Sequence, residues 1–366
     1  MVPKASLTIL TFPKRDNLHS LKLPKPHNVL VLVKDDEFIR KDDEFIGMAK
    51  VVTLLTEIIY KMAEETASNL VQNRYAVVTG GNKGIGFEIC RQLASKGIVV
   101  VLAARDEKRG VEAVDNLKSL GVSNVVFHQL DTKDPASVAS LANFVETNFR
   151  KLDILVNNAG CNGLVMYTEA YTAFIDAGNH VTDDKVDSLK GIVEQTYEKA
   201  EECVETNYFG TKRVTEALLP LLQLSDSPRI VNLSSIYSQL KFISNEKIRA
   251  ELNNVECLKE ERLDELVQQF LKDFKDDKLL LNGWPLTVSA YKVSKAAINA
   301  YTRILAKKFP NFRINSNHPG YVITDITCNR GLLTPEEGAK RPVMLALLPD
   351  NGPSGFYFDQ MEISSF

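Results

Sequence analysis

The stretch Thr79-Gly80-Gly81-Asn82-Lys83-Gly84-Ile85-Gly86 constrains this chain more than any other. It lies between an apolar run, Tyr75-Ala76-Val77-Val78, and a helical pattern that begins at Phe87. A strand that turns through spaced glycines into a helix aims unpaired backbone N–H groups and the positive end of the helix dipole at one point, where phosphate oxygens are favoured. Gly80 permits the sharp turn, Gly84 admits a close backbone approach, and Gly86 lets the helix lie against the strand. The turn reads as a dinucleotide site. Its spacing, G-x-x-x-G-x-G rather than G-x-G-x-x-G, leaves an ordinary glycine-rich loop as the alternative, so the rest of the chain has to decide.

From Tyr75 onward, short β-branched runs alternate with helical patterns, which is the signature of an α/β protein with a parallel sheet covered by helices on both faces. Strands are expected at 75–79, 98–104, 124–130, 152–156, 228–234, 312–317 and 355–359. Helices are expected at 85–97, 107–120, 134–150, 194–222, 290–308 and 335–347. Two stretches interrupt the rhythm. Residues 161–193 read as turn-rich and irregular. Residues 236–289 read as a charged amphipathic insertion with Leu258, Leu263, Leu266, Phe270 and Phe274 at roughly helical spacing. Both leave the carboxyl ends of strands, where open α/β sheets bind ligands.

Residues 1–69 look unlike the remainder: prolines punctuate the first half, and Lys34-Asp35-Asp36-Glu37-Phe38-Ile39 is nearly repeated as Lys41-Asp42-Asp43-Glu44-Phe45-Ile46. Two copies are too few to build a solenoid. The expectation is an irregular extension, with a natural start at Met62, followed by one domain over 70–366. The whole chain of 366 residues is 44% hydrophobic with a net charge of -3, so it can bury a sizeable core but lacks the field that nucleic acid or an anionic membrane would need. Five scattered cysteines without C-x-x-C spacing point away from a disulfide framework or a metal cluster and towards a reducing, cytoplasmic setting.

Arg105 ends the second strand where an NAD-selective site would carry an acid, and Lys83 stands inside the glycine turn. Cations at those points suit a 2′-phosphate, hence NADPH/NADP+, whereas Asp106 turned inward would serve NAD. Lys108 and Arg109 read as solvated. Asp131 ends the third strand, and Asn157-Asn158-Ala159-Gly160 ends the fourth, suited either to backing an adenosine or to plain turn chemistry. Tyr291-Lys292-Val293-Ser294-Lys295 follows on a helix, with Ser234-Ser235 ending the preceding strand. The i, i+4 spacing puts Tyr291 and Lys295 on one face, where the ammonium is expected to lower the phenol pKa so that the phenol can protonate an alkoxide. The alternative is a surface tyrosine beside a solvated lysine.

Together these motifs resemble the short-chain dehydrogenase/reductase family, whose T-G-x-x-x-G-x-G, N-N-A-G, N-x-S-S and Y-x-x-x-K patterns occur here in order, over about residues 70–366. The resemblance implies a single Rossmann-type doubly wound parallel sheet. It implies Tyr291 as proton donor, Lys295 as the residue that tunes it and binds ribose, Ser235 as the group orienting a carbonyl, and Asn207 as the holder of a relay water. Cofactor contacts are implied at Gly80, Asn82, Lys83, Gly84, Ile85, Gly86, Arg105, Asp131, Asn158, Ala159, Gly160, Tyr291 and Lys295. They extend to Pro319, Gly320, Val322 and Thr324 of a loop resembling the one beside the nicotinamide. Tyr291 follows Ser235 by 56 residues, much further than in typical members. That insertion, ending Asn282-Gly283-Trp284-Pro285, is similar to one in a plant subgroup of ketone reductases, and it implies a monomer. In that subgroup a double-bond reductase carries Glu where ketone reductases carry Tyr, so Tyr291 implies reduction of a small-molecule carbonyl. The alternatives are an enone double-bond reductase on the same scaffold and a non-catalytic NADP(H)-binding regulatory protein. No metal is expected.

Overall fold

In the computed structural model the described residues are 8–9, 29–30, 74–179, 183 and 189–366. The chain divides into two units, Met1–Val71 and Gln72–Phe366. Of the first, the described residues are two short strands, Thr8–Ile9 and Val29–Leu30, paired in parallel. The acidic tandem repeat and the start proposed at Met62 lie outside the described residues.

The second unit is built on a sheet whose strands are β1 (Tyr75–Thr79), β2 (Val99–Ala104), β3 (Val125–Gln129) and β4 (Ile154–Asn157). Two two-residue strands, β5 (Val165–Met166) and β6 (Val193–Glu194), pair with each other outside it. The main sheet continues with β7 (Arg229–Leu233), β8 (Arg313–His318), β9 (Tyr357–Asp359) and β10 (Glu362–Ser364). Its order is β10-β9-β8-β7-β4-β1-β2-β3, parallel except for the last pair, β9 with β10. The antiparallel edge strand is an addition to the fully parallel sheet that the sequence suggested. A tight turn at Gln360, where φ is 56°, folds the chain back on itself.

The central strands are apolar on both faces because helices cover both. One face carries α1 (Gly84–Ala94), α2 (Glu107–Ser119) and α10 (Pro335–Ala346), whose apolar sides join Val78, Leu102 and Val156 in one core. The other carries α3 (Pro135–Phe149), α5 (Tyr197–Val204) and α6 (Gly210–Leu222), with α9 (Ser289–Lys308), around Val77, Leu155 and Ile230. Local chemistry sets the ends. Asp134 caps α3 just before Pro135, and Thr334 with Glu337 forms a capping box at the start of α10. The chain runs from β1 out to β3 and then returns to the other side of β1 at β4, so the switch in direction opens a crevice at the carboxyl ends of those two strands.

Two local readings need correction, while the insertion keeps the helical spacing expected of it. The stretch 161–193 contains a helix, α4 (Thr168–Asp176), with an acidic first turn at Glu169. The helix expected from 194 begins at Tyr197, capped by Thr196, and is interrupted by a π-turn over Glu205–Phe209. The insertion forms two helices, α7 (Glu246–Asn253) and α8 (Glu260–Lys275). Leu263, Leu266, Val267, Phe270 and Leu271 of α8 are buried. Asp264 binds α8 to its neighbours, taking the Tyr208 hydroxyl at 2.7 Å and the Lys212 ammonium at 2.6 Å. Trp284 is core: it packs edge-on against Phe270, and its indole donates to buried Asp273 at 2.8 Å.

Candidate active site

The glycine turn lies at the crevice. Gly80 adopts φ 65°, and a β-carbon on it would meet the Ala159 backbone at 3.0 Å. A β-carbon on Gly86 would stand 2.3 Å from the Gly80 carbonyl oxygen. The Asn158 amide braces the strand end by donating to the carbonyls of Thr79 at 2.9 Å and Gly80 at 3.1 Å. The Thr79 hydroxyl accepts the backbone N–H groups of Asn158 and Ala159. Helix α1 starts without a side-chain cap from Lys83, so its first-turn donors suit an anion. This bare helix start, approached only because Gly80 and Gly86 lack side chains, fits the phosphates of a dinucleotide.

The loop after β8 closes over the turn. Gly84 faces Thr324, and Lys83 is ion-paired with Asp325, both exposed. A 2′-phosphate would have to compete with that carboxylate for Lys83. Arg105 is exposed at the end of β2. Asp106 caps α2 by accepting the Arg109 N–H at 3.0 Å, so it is committed to the helix. Lys108 and Arg109 are exposed. Asp131 accepts the Lys133 N–H at 3.0 Å. Asn82 and Ile85 lie within the turn, partly exposed. Pro319 is buried and Gly320 takes φ 95°. The carbonyl of Val322 and the N–H of Thr324 both bond the Thr327 hydroxyl inside their own loop.

Tyr291 and Lys295 are one turn apart on α9, and the Tyr291 phenol lies close enough to the Ser235 hydroxyl to be acted on by it. Ser234 precedes Ser235 and donates its N–H to the Asn317 carbonyl at 2.7 Å. The Lys295 ammonium donates to the Leu233 carbonyl at 2.7 Å and stands 5.6 Å from the Tyr291 ring centre. A β-carbon on Gly160 would lie 3.6 Å from that ammonium, which ties the N-N-A-G turn to the same cleft. The expected lowering of the phenol pKa is not what the chain alone produces. Burial pushes Tyr291 up to about 12, against a smaller downward pull from the Ser235 hydroxyl. Burial also brings Lys295 down to about 8. Desolvation disfavours each charged form, and here it outweighs what the lysine does for the phenol.

Asn207 is fully buried in the π-turn. Its amide is spent on structure, pairing with both the N–H and the carbonyl of Cys161 at 2.9 Å and donating to Ser294 at 3.1 Å. A π-turn inserts a residue into the helical ladder and leaves a main-chain carbonyl without its usual donor, which is why such turns recur at functional sites.

Several residues at this site carry no motif. Val288, at φ 49° and ψ 34°, holds the residue before α9 in a left-handed conformation unusual for a β-branched side chain. Gln195 braces it, accepting the Ser289 N–H at 2.7 Å and donating to the Leu286 carbonyl at 2.7 Å. Asp183 accepts the Thr287 N–H at 3.0 Å and the ammonium of buried Lys292 at 2.7 Å. Lys292 also lies over the rings of Tyr237 and Phe242. Tyr171 and Tyr321 lie close enough to act on each other. Only the positions of these side chains in a closed loop reveal them; Lys292 inside Y-x-x-x-K was the one sequence signal. Among the described residues no group of three or more His, Cys, Asp or Glu is placed to hold a metal, and no helix is long and apolar enough to cross a membrane.

A family model described as short chain dehydrogenase matches residues 74–247. The chain is 52% identical to (+)-neomenthol dehydrogenase of Arabidopsis thaliana over 309 residues, 83% of this chain and 100% of that protein. The (-)-isopiperitenone reductase of Mentha piperita is 53% identical over 78% of this chain and 96% of its own length. The solved structure of salutaridine reductase from Papaver somniferum superposes with a TM-score of 0.73 at 51% identity, covering 78% of this chain and 99% of that one. The protein belongs to the short-chain dehydrogenase/reductase family. It is an oxidoreductase of the carbonyl-reductase type that uses a nicotinamide cofactor.

Proposed function

We propose that this family member is an NADPH-dependent reductase of an apolar, terpenoid- or alkaloid-like ketone or aldehyde. The observation that carries the reading is the Lys295 ammonium, anchored on the Leu233 carbonyl at 2.7 Å and 5.6 Å from the Tyr291 ring centre, with the Ser235 hydroxyl near enough to act on the Tyr291 phenol. Two neutral hydroxyls converging on one point suit a carbonyl oxygen. When bound, the dinucleotide supplies the hydride. Ser235 holds the carbonyl oxygen, and Tyr291, kept protonated by its burial, donates the proton as charge builds on that oxygen. Lys295 holds the ribose side of the cleft and stabilises the phenolate left behind. Asn207 contributes through the main chain of the π-turn, where a relay water would refill Tyr291, because its amide is already engaged.

The NADPH preference rests on Arg105 and Lys83, together with the commitment of Asp106 to its helix cap. The substrate class rests on the similarity to neomenthol dehydrogenase and salutaridine reductase and on the clustering of Tyr171, Tyr237 and Tyr321. A monomeric enzyme in the cytoplasm fits α8, which covers α6 and α9 from within the same chain, and cysteines that are all free.

The test is consumption of NADPH, against NADH, with cyclic ketones and enones, for the protein and for Tyr291→Phe. Alcohol products with NADPH, and a fall in kcat/KM of about a hundredfold or more in the variant, support the reading. A saturated ketone formed from an enone would shift it to double-bond reduction, and turnover unaffected in Tyr291→Phe would remove it. The kcat/KM for reduction should fall as pH rises through about 8, where Lys295 loses its proton while Tyr291 still keeps its own.

A further inference from the structure

We infer that Cys161 and Cys203 form a thiol-oxidation site, in which a hydroperoxide converts the pair to a disulfide and silences the enzyme reversibly. Neither residue has a part in the reduction just described. Cys161 follows the N-N-A-G turn directly, and Cys203 lies in the last turn of α5. The two thiols lie close enough to act on one another. The Cys203 thiol also donates to the Cys161 carbonyl at 3.4 Å, and Gly163, at φ 68°, folds the loop down so that even a β-carbon there would touch Cys203.

The two cysteines differ in the way an oxidation pair requires. Cys161 is half-buried, whereas Cys203 is sealed. The nearby Cys203 thiol favours the Cys161 thiolate and moves that thiol down, while burial moves Cys203 up. Cys161 is therefore the sulfur that a peroxide meets, and Cys203 the one that resolves it. In the first step the Cys161 thiolate attacks a peroxide oxygen; the O–O bond breaks, a sulfenic acid forms, and water leaves after taking up a proton. In the second, the Cys203 sulfur attacks the Cys161 sulfur as its thiol proton is lost, the S–O bond breaks, a second water leaves and the S–S bond forms. Two thiols are oxidised and one hydrogen peroxide is reduced to two waters. The remaining cysteines lack such a partner: Cys90 is buried with its thiol pushed well up, and Cys257 and Cys328 stand apart on the surface and in a loop.

The disulfide would act on the site through Asn207. That amide grips the N–H and carbonyl of Cys161 and donates to Cys203 Sγ at 3.2 Å. Drawing the two sulfurs together removes the last contact and pulls on the first two, beside the Lys295 ammonium. This consequence rests on the roles proposed for Asn207 and Lys295; the oxidation itself does not.

The experiment treats the purified full chain with hydrogen peroxide, maps peptides by mass and measures NADPH-dependent turnover before and after dithiothreitol. The expected result is a peptide pair joined through Cys161 and Cys203, two hydrogens lighter than the separate peptides, with turnover reduced at least tenfold and restored by the reductant. Cys161→Ser should keep its own untreated rate in peroxide, and Cys203→Ala should hold Cys161 as a sulfenic acid that dimedone traps. Oxidation confined to Cys257 or Cys328, with no joined pair, would overturn the site. A joined pair with unchanged turnover would overturn its effect on the enzyme, and a joined pair in a protein that turns over no carbonyl would place the failure in the proposed reaction instead.

Discussion

The cofactor crevice and the roof over it are built by different means. At the crevice, function resides in the backbone: Gly80, Gly84 and Gly86 matter for what they lack, and short ties from the Thr79 hydroxyl and the Asn158 amide to neighbouring main-chain groups hold β1 against the turn after β4. Over the substrate side, side chains far apart in sequence hold the structure. Asp183 reaches Lys292, Gln195 reaches Ser289 and Asp264 reaches Tyr208. A backbone device tolerates few residue types and so leaves a motif. A side-chain tie can be replaced by many others and leaves none.

The largest effect should come from Gly86→Ala. Its β-carbon would sit 2.3 Å from a carbonyl oxygen and 2.5 Å from the Asn158 amide, so the turn must open. A loss of about 3 kcal/mol in urea-measured stability is expected, with NADPH affinity by calorimetry falling at least tenfold; wild-type affinity would break the comparison. On the other side, Asp273→Ala strands the buried Trp284 indole, which now donates to it at 2.8 Å. That should cost about 2 kcal/mol of stability and leave NADPH affinity unchanged, sharpening the separation between the two regions.

A third expectation concerns acid. Burial holds the His318 imidazole neutral, its pKa down to about 4 from the ordinary 6.5. Below pH 6.5 the unfolded chain takes up a proton that the folded one refuses, so stability falls as pH drops from 6.5 towards 4. The loss at pH 5 is about 2 kcal/mol by linkage, and urea titrations of the wild type and His318→Gln across that range would show it as a difference in slope. The smallest effect is expected from Asp183→Asn. The carboxylate is about a third exposed, so loss of its charge should cost about 1 kcal/mol. It should appear as a rise in KM of several-fold, with kcat and NADPH affinity nearly preserved, because Asp183 fixes the approach to α9 and not the reacting groups. A fall in kcat alone would assign it to the chemistry instead.

Legibility followed the same division. The strand and helix series from Tyr75 to Tyr357 was readable because apolar strands and capped amphipathic helices are local patterns. The helix at Thr168–Asp176 was missed because none of its residues is buried, so no apolar stripe marks it. The π-turn at Glu205–Phe209 was missed because it lies inside an unbroken helical pattern, and only the packing of Asn207 against Cys161 and Ser294 accounts for its place. Trp284 is a core residue only by virtue of Phe270 and Asp273, which tertiary packing brings around it.

The sequence by itself determined the doubly wound sheet, the glycine turn at its switch point and the pairing of Tyr291 with Lys295 on one helix face. Each follows from spacing within a single element, or between a strand and the helix it feeds. Tertiary structure alone decided that Lys83 pairs with Asp325 and that two cysteines 42 residues apart share a hydrogen bond. It also decided the state of the catalytic pair. Spacing brings a cation near a phenol, but how far each is removed from water depends on everything packed around them, and here that desolvation sets both pKa values.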